Sequence, residues 1–151
     1  MSGNMTVDEI LDFAIEQEQG AVDLYTGLAE NAKNPGIKKA FLDFANEERG
    51  HKTKLQEVKN GNRFLSSSSK VLDLKIDTYT VEQELGPEAD YQATLLFAMK
   101  KEKAAFKLYS DLAAKTDDAA IRDLLLGLAQ EEAKHKLRFE LEYDDNILAE
   151  N

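Results

Sequence analysis

The chain has 151 residues, 42% of them hydrophobic and 32% charged, with a net charge of -10. That is the balance of a single folded helical domain over residues 1–151, too apolar for disorder, and its acidity excludes nucleic acid and anionic membrane surfaces as expected partners. With no cysteine the chain holds no disulfide, iron–sulfur cluster or four-thiolate iron; with no basic, apolar leader in residues 1–10 and no apolar run near the roughly 18–20 residues that cross a bilayer, a cytoplasmic location is expected.

The first predicted helix covers about residues 7–32. Thr6 can cap it, with Glu9 completing a capping box. Leu11, Ala14, Ala21, Leu24, Tyr25 and Leu28 recur at helical spacing on one face. Glu18 falls on that same face. Asn34 and Pro35 then end one helix and begin another, with Asn34 as cap and Pro35 in the first turn. This second helix covers about residues 35–59 and stops at Asn60-Gly61. Phe41, Phe44, Ala45, Leu55 and Val58 share a face with Glu48, and His51 lies three residues beyond it.

Residues 61–89 are far too long for a hop between neighbouring antiparallel helices. Extended, they reach over roughly 90 Å against a bundle length near about 40 Å, so they can run its whole length. The alternation in Leu72-Asp73-Leu74-Lys75-Ile76-Asp77 predicts an extended segment lying on the helices, with Ser66–Ser69 as the mobile part of the crossover. The third helix is predicted over about residues 91–115, capped by Asp90. The fourth covers about residues 119–143, opened by Asp117 and Asp118 and broken by Asp144-Asp145-Asn146.

Residues 6–60 and 90–144 are one pattern written twice. Shifted by 84 positions, Glu18 and Tyr25 fall on Glu102 and Tyr109, and Glu48 and His51 fall on Glu132 and His135. The chain is therefore expected to be all-α, a four-helix bundle made from a duplicated helical hairpin. The long crossover makes its second and third helices parallel. Glu18 and Glu48 lie about 21 Å and about 20 Å from the first turn that joins their helices, so they meet at one level. Glu102 and Glu132 meet likewise.

Four carboxylates on core faces are costly unless paired or bound to metal. Both histidines of the chain sit three residues after a core glutamate, on the same helix face. Glu18, Glu48, His51, Glu102, Glu132 and His135 are thus the candidate ligands of two metal ions. Each ion would take one imidazole, one terminal carboxylate and shared bridging carboxylates. Four negative charges against two divalent cations leave the core neutral. Mixed imidazole and carboxylate donors suit iron or manganese, with zinc or a mixed pair also compatible. The competing reading is a duplicated bundle without metals. Tyr25 and Tyr109 sit two turns beyond Glu18 and Glu102; each is either a core aromatic or a donor that orients a ligand carboxylate. Glu47 and Glu131 should point about 100° away from the ligands, into solvent. Ala14, Ala21, Ala98 and Ala105 either allow close helix packing or leave room for a small oxidant.

Glu18 with Tyr25, Glu48-x-x-His51, Glu102 with Tyr109 and Glu132-x-x-His135 together resemble the rubrerythrin branch of the ferritin-like diiron family. The stretch from Leu96 to Tyr109 looks especially like that branch, and the match spans both repeats. The resemblance implies a ferritin-like bundle, a pair of non-haem iron ions, and oxidoreductase chemistry with hydrogen peroxide or dioxygen or on Fe(II). It also implies a homodimer. Rubrerythrins usually carry a further carboxylate ligand one turn after the third-helix glutamate, where this chain has Ala105. Full-length members also carry a four-cysteine rubredoxin domain, so turnover here needs an external donor such as a rubredoxin or a flavoprotein. An enzyme, an iron-handling protein without rapid turnover, and a metal-free interaction module remain the three functional classes to separate.

Overall fold

The computed structural model describes residues 5–66, 70–82, 85–86 and 90–150, with side chains as far as Asp145. Four helices dominate: α1, Val7–Asn31; α2, Pro35–Gly61; α3, Tyr91–Lys115; and α4, Ala119–Glu150. Their starts are set by caps legible in the sequence. The Thr6 hydroxyl accepts from the Glu9 amide at 3.0 Å while the Glu9 carboxylate accepts from the Thr6 amide at 2.9 Å, satisfying two otherwise orphaned donors. Asn34 accepts from the amides of Gly36 and Ile37, with Pro35 in the first turn. Asp90 accepts from Ala93, and Asp118 from Ile121.

Two helix ends differ from expectation. α2 runs through Gly61, and Asn62 takes the left-handed conformation (φ 52°) that closes it. Asparagine tolerates this geometry, so the glycine is not the stop. α4 continues through Asp144-Asp145-Asn146 to Glu150. Acidic residues carry only a modest helix penalty, and with no glycine or proline there the helix propagates past them.

The core is divided in two. One apolar cluster joins the start of α1 (Ile10, Leu11, Ala14), the end of α2 (Leu55, Val58), the end of α3 (Leu108, Leu112) and the start of α4 (Leu125, Leu128). The other joins the opposite ends through Leu28, Phe41, Leu95 and Phe139. This distribution makes α1 antiparallel to both α2 and α3, and hence α2 parallel to α3. The hairpins α1–α2 and α3–α4 are related by a two-fold axis passing between the clusters.

The crossover travels between those ends. Phe64 is buried, its carbonyl accepting from the Thr116 hydroxyl at 2.7 Å. Ser66 donates through its amide and hydroxyl to Asp117. The remaining predicted mobile residues, 67–69, lie outside the described ones. Leu72 and Leu74 bury alternate side chains as expected. Val71–Leu72 forms a short strand, β2, antiparallel to β1, Met5–Thr6. The extended reading fails beyond Lys75: Ile76–Tyr79 is a 3₁₀ turn. It places Tyr79 against the bundle with its hydroxyl donating to Asp111 at 2.7 Å. Among the described residues no helix is long and apolar enough to cross a membrane.

Candidate metal centre

Helix periodicity turns Glu48 and His51 inward from α2, and Glu132 and His135 inward from α4, while α1 and α3 add Glu18 and Glu102. All six converge between the two apolar clusters, none more than 2% exposed. His51 Nδ1 faces Glu132 Oε1 at 2.9 Å and Glu18 Oε2 and Glu48 Oε1 at 3.1 Å each. His135 Nδ1 lies 3.5 Å from Glu48 Oε1 and 3.8 Å from Glu102 Oε2. Two overlapping donor sets result: Glu18, Glu48, His51 and Glu132; and Glu48, Glu102, Glu132 and His135. Within each, the donor atoms lie within 4.8 Å of one another. Glu48 and Glu132 belong to both sets, as bridging carboxylates must.

This spacing fits metal ions. With bonds of about 2.1 Å, ligands at right angles around one ion sit about 3.0 Å apart. Seven buried nitrogen and oxygen atoms of these six residues have no hydrogen-bond partner among the described residues. Buried polar atoms normally find partners, so such a concentration calls for a guest.

The electrostatics agree. Burial, then the charge of Glu48, pushes the Glu18 carboxyl up to about 7. Burial, then Glu132, pushes Glu48 up to about 8. Glu102 and Glu132 are also held well above the ordinary carboxylate range, mainly by burial. For His51, burial favours the neutral ring, but contacts with Glu132, Glu18 and Glu48 outweigh it and raise the imidazole pKa. Without a cation, protons take the place of positive charge at the centre.

Glu47 and Glu131 correct the sequence reading. They are half-exposed, but their carboxylates reach inward across the bundle rather than serving solvent alone. Glu131 pairs with His51 Nε2 and Glu47 with His135 Nε2. Each helix therefore supplies the carboxylate that fixes the other helix's histidine. A proton held on Nε2 leaves the Nδ1 lone pair directed at the centre. The signal was present in the sequence, in the repeated Glu-Glu-x-x-His. What it lacked was the helix separation, which lets a side chain leaving α2 at a wide angle reach α4.

The tyrosines are placed unequally. Tyr109 is fully enclosed and hydrogen bonded to Glu18 across the α1–α3 contact; burial, then the nearby carboxylates, raises its phenol pKa. Tyr25 packs edge-on to His135, ring centroids 6.3 Å apart, but its buried hydroxyl has no partner among the described residues. Phe44 stacks on His135 at 4.2 Å. On the α1–α3 side a cavity of about 20 Å³ reaches the carboxylates, room for about one water. Ala21 and Ala105 line it, whereas Ala14 and Ala98 are fully packed.

A family model for rubrerythrin matches residues 9–143. The chain belongs to the rubrerythrin family. Two solved structures share its architecture. One is a ferritin-like protein from Thermotoga maritima, whose assignment as diiron-carboxylate is itself an inference; it is 21% identical, with a TM-score of 0.80, over 95% of this chain and 97% of that one. The other is a hypothetical protein from Pyrococcus furiosus, 26% identical, with a TM-score of 0.72, over 93% of this chain and 89% of that one. No curated protein sequence matches the chain. The fold is thus the ferritin-like four-helix bundle, and membership of the rubrerythrin family agrees with a two-metal site at the buried Glu/His cluster.

Proposed function

We propose that this rubrerythrin is a diiron oxidoreductase that reduces hydrogen peroxide with electrons from an external donor such as a rubredoxin or flavoprotein, or oxidises Fe(II) by passing its electrons to peroxide or dioxygen. The observation that carries this reading is the set of buried donor atoms without a hydrogen-bond partner among the described residues, which lie on two intersecting ligand sets. Glu18 and His51 would hold one ion and Glu102 and His135 the other, with Glu48 and Glu132 common to both donor sets. Iron fits the donors and the family; manganese, zinc or a mixed pair satisfies the same ligands. A redox-active pair, when bound, supplies the two electrons that peroxide reduction requires.

The chain's own residues do the rest. Glu47 and Glu131 hold the imidazoles in one orientation and one tautomer. Tyr109 fixes the Glu18 carboxylate. The two apolar clusters close the centre above and below, leaving the small cavity beside Ala105 as the space for a water-sized oxidant. The same alanine favours a second reading: lacking the further carboxylate usual in rubrerythrins, the chain would bind or handle iron without rapid turnover.

Elemental analysis of protein purified from its native host should find two metal ions per chain. Stopped-flow mixing of the Fe(II) form with peroxide should show oxidation much faster than that of free iron. Two irons with oxidation no faster than free iron would leave the iron-handling reading. Absence of metal would leave the interaction module.

A further inference from the structure

The α1–α3 face, where the cavity approaches the carboxylates, carries a pair of residues that the metal ligands leave unexplained. Gln17 and Lys101 occupy the same position in the two repeats, 84 residues apart, and meet across the two-fold axis. The Lys101 ammonium donates to the Gln17 side-chain oxygen. A symmetric pair of lysines would repel here; one lysine and one glutamine make a donor and an acceptor. Both line the cavity together with Ala105 and Tyr79.

Lys101 is partly buried, and among the described residues no carboxylate lies within ion-pair distance of it. Its other neighbour is the Phe97 ring, 6.0 Å from the ammonium. A lysine with a long, flexible stem normally carries its charge into water or to an acid. This one lies over a cavity that leads to the buried donors. On the opposite, α2–α4 side, the half-exposed carboxylates Glu131 and Glu47 pair with the two histidine rings.

We propose that Lys101 and Gln17 form a selectivity gate on the α1–α3 side, admitting small anions of the hydroperoxide class to the metal pair. The ammonium attracts an anion and disfavours a divalent cation. Its hydrogen bond to Gln17 holds it across the mouth, and the cavity restricts what passes to a few atoms. Lys101 is a positioning and selectivity residue, not a metal ligand. The gate rests on the two-metal centre proposed above.

The test uses azide as the probe, on the full chain loaded with iron and oxidised. Metal stoichiometry, melting temperature and azide affinity, read from absorbance at low and high salt, are compared for the parent, Lys101→Gln and Lys101→Arg. The expected result is unchanged stoichiometry and melting, with azide affinity about tenfold weaker at low salt in Lys101→Gln. Its salt dependence should also flatten, because the screened charge is gone. Lys101→Arg should keep both affinity and salt dependence. Two bound irons with parental azide affinity in Lys101→Gln would overturn the gate and leave the centre standing. A parent chain that takes up no metal overturns the centre and the gate with it. If Lys101→Gln melts lower, Gln17→Ala, which leaves the charge but removes its anchor, should keep the salt dependence and weaken azide binding, and unaltered azide affinity there also counts against the gate.

Discussion

Glu47 and Glu48 are neighbours in the chain with different tasks, and their contrast gives the sharpest test at the residue scale. Glu48 is wholly enclosed and within reach of both histidines; Glu47 is half in solvent and pairs with His135. Glu48→Ala or Glu132→Ala removes a carboxylate shared by both donor sets, so a metal titration should show loss of both ions. Glu47→Ala or Glu131→Ala removes only the carboxylate behind an imidazole. Stoichiometry should survive at saturating metal, with affinity weaker by about 10–100-fold. Tyr109→Phe should cost about 1 kcal/mol in chemical denaturation for the lost hydrogen bond to Glu18, whereas Tyr25→Phe, whose hydroxyl has no partner among the described residues, should cost nothing or stabilise slightly.

At the scale of elements, the hairpins are held by local signals and the crossover by contacts with the bundle, one of them through a buried hydroxyl. Thr116 is 3% exposed, donates to the Phe64 carbonyl and accepts from the Asp118 amide at 3.2 Å. It thereby ties the end of α2 to the turn between α3 and α4. Thr116→Val keeps the shape; the Phe64 carbonyl retains the Asp117 amide at 3.0 Å, but the Asp118 amide loses its acceptor, and stability should fall by about 1 kcal/mol in urea unfolding. Thr6→Ala, at the exposed capping box, should cost about 1 kcal/mol. The caps of all four helices were legible because capping is a contact between residues two or three apart. The end of α4 was not, since acidic residues stop a helix only when something else competes for the backbone. Neither were the Tyr91 hydroxyl's bond to Glu142 at 2.6 Å and the 3₁₀ turn at Ile76–Tyr79, which depend on elements distant in the chain.

At the scale of the whole molecule, the centre ties stability to metal and pH. In the metal-free protein Glu18 and Glu48 stand at about 7 and about 8, and Glu102 and Glu132 well above 4.5. Between the unfolded carboxylate range and those values the folded chain holds more protons than the unfolded one. Its stability therefore falls as pH rises through that window. The raised His51 pKa acts in the same sense, losing its contribution only on the alkaline side. Melting of the metal-free form should thus drop from about pH 5 to about pH 8. Saturating Fe(II) or Mn(II) should raise the melting temperature most at the upper end, where cations replace protons. A melting curve indifferent to metal at about pH 8 would contradict the centre. The homodimer implied by family resemblance is a separate expectation, checked by sedimentation.

The sequence alone determined the duplication, the four helices, their caps and the inward placement of Glu18, Glu48, His51, Glu102, Glu132 and His135. Each of those depends on spacing along one helix or on a repeat, and helical periodicity converts spacing into a face. Only the tertiary structure decided how Glu47 and Glu131 reach across to the histidines, how Tyr109 comes against Glu18 while Tyr25 packs on His135, and where Lys101 meets Gln17. Those contacts join different helices, and their existence turns on interhelical distances that no spacing within a single helix encodes.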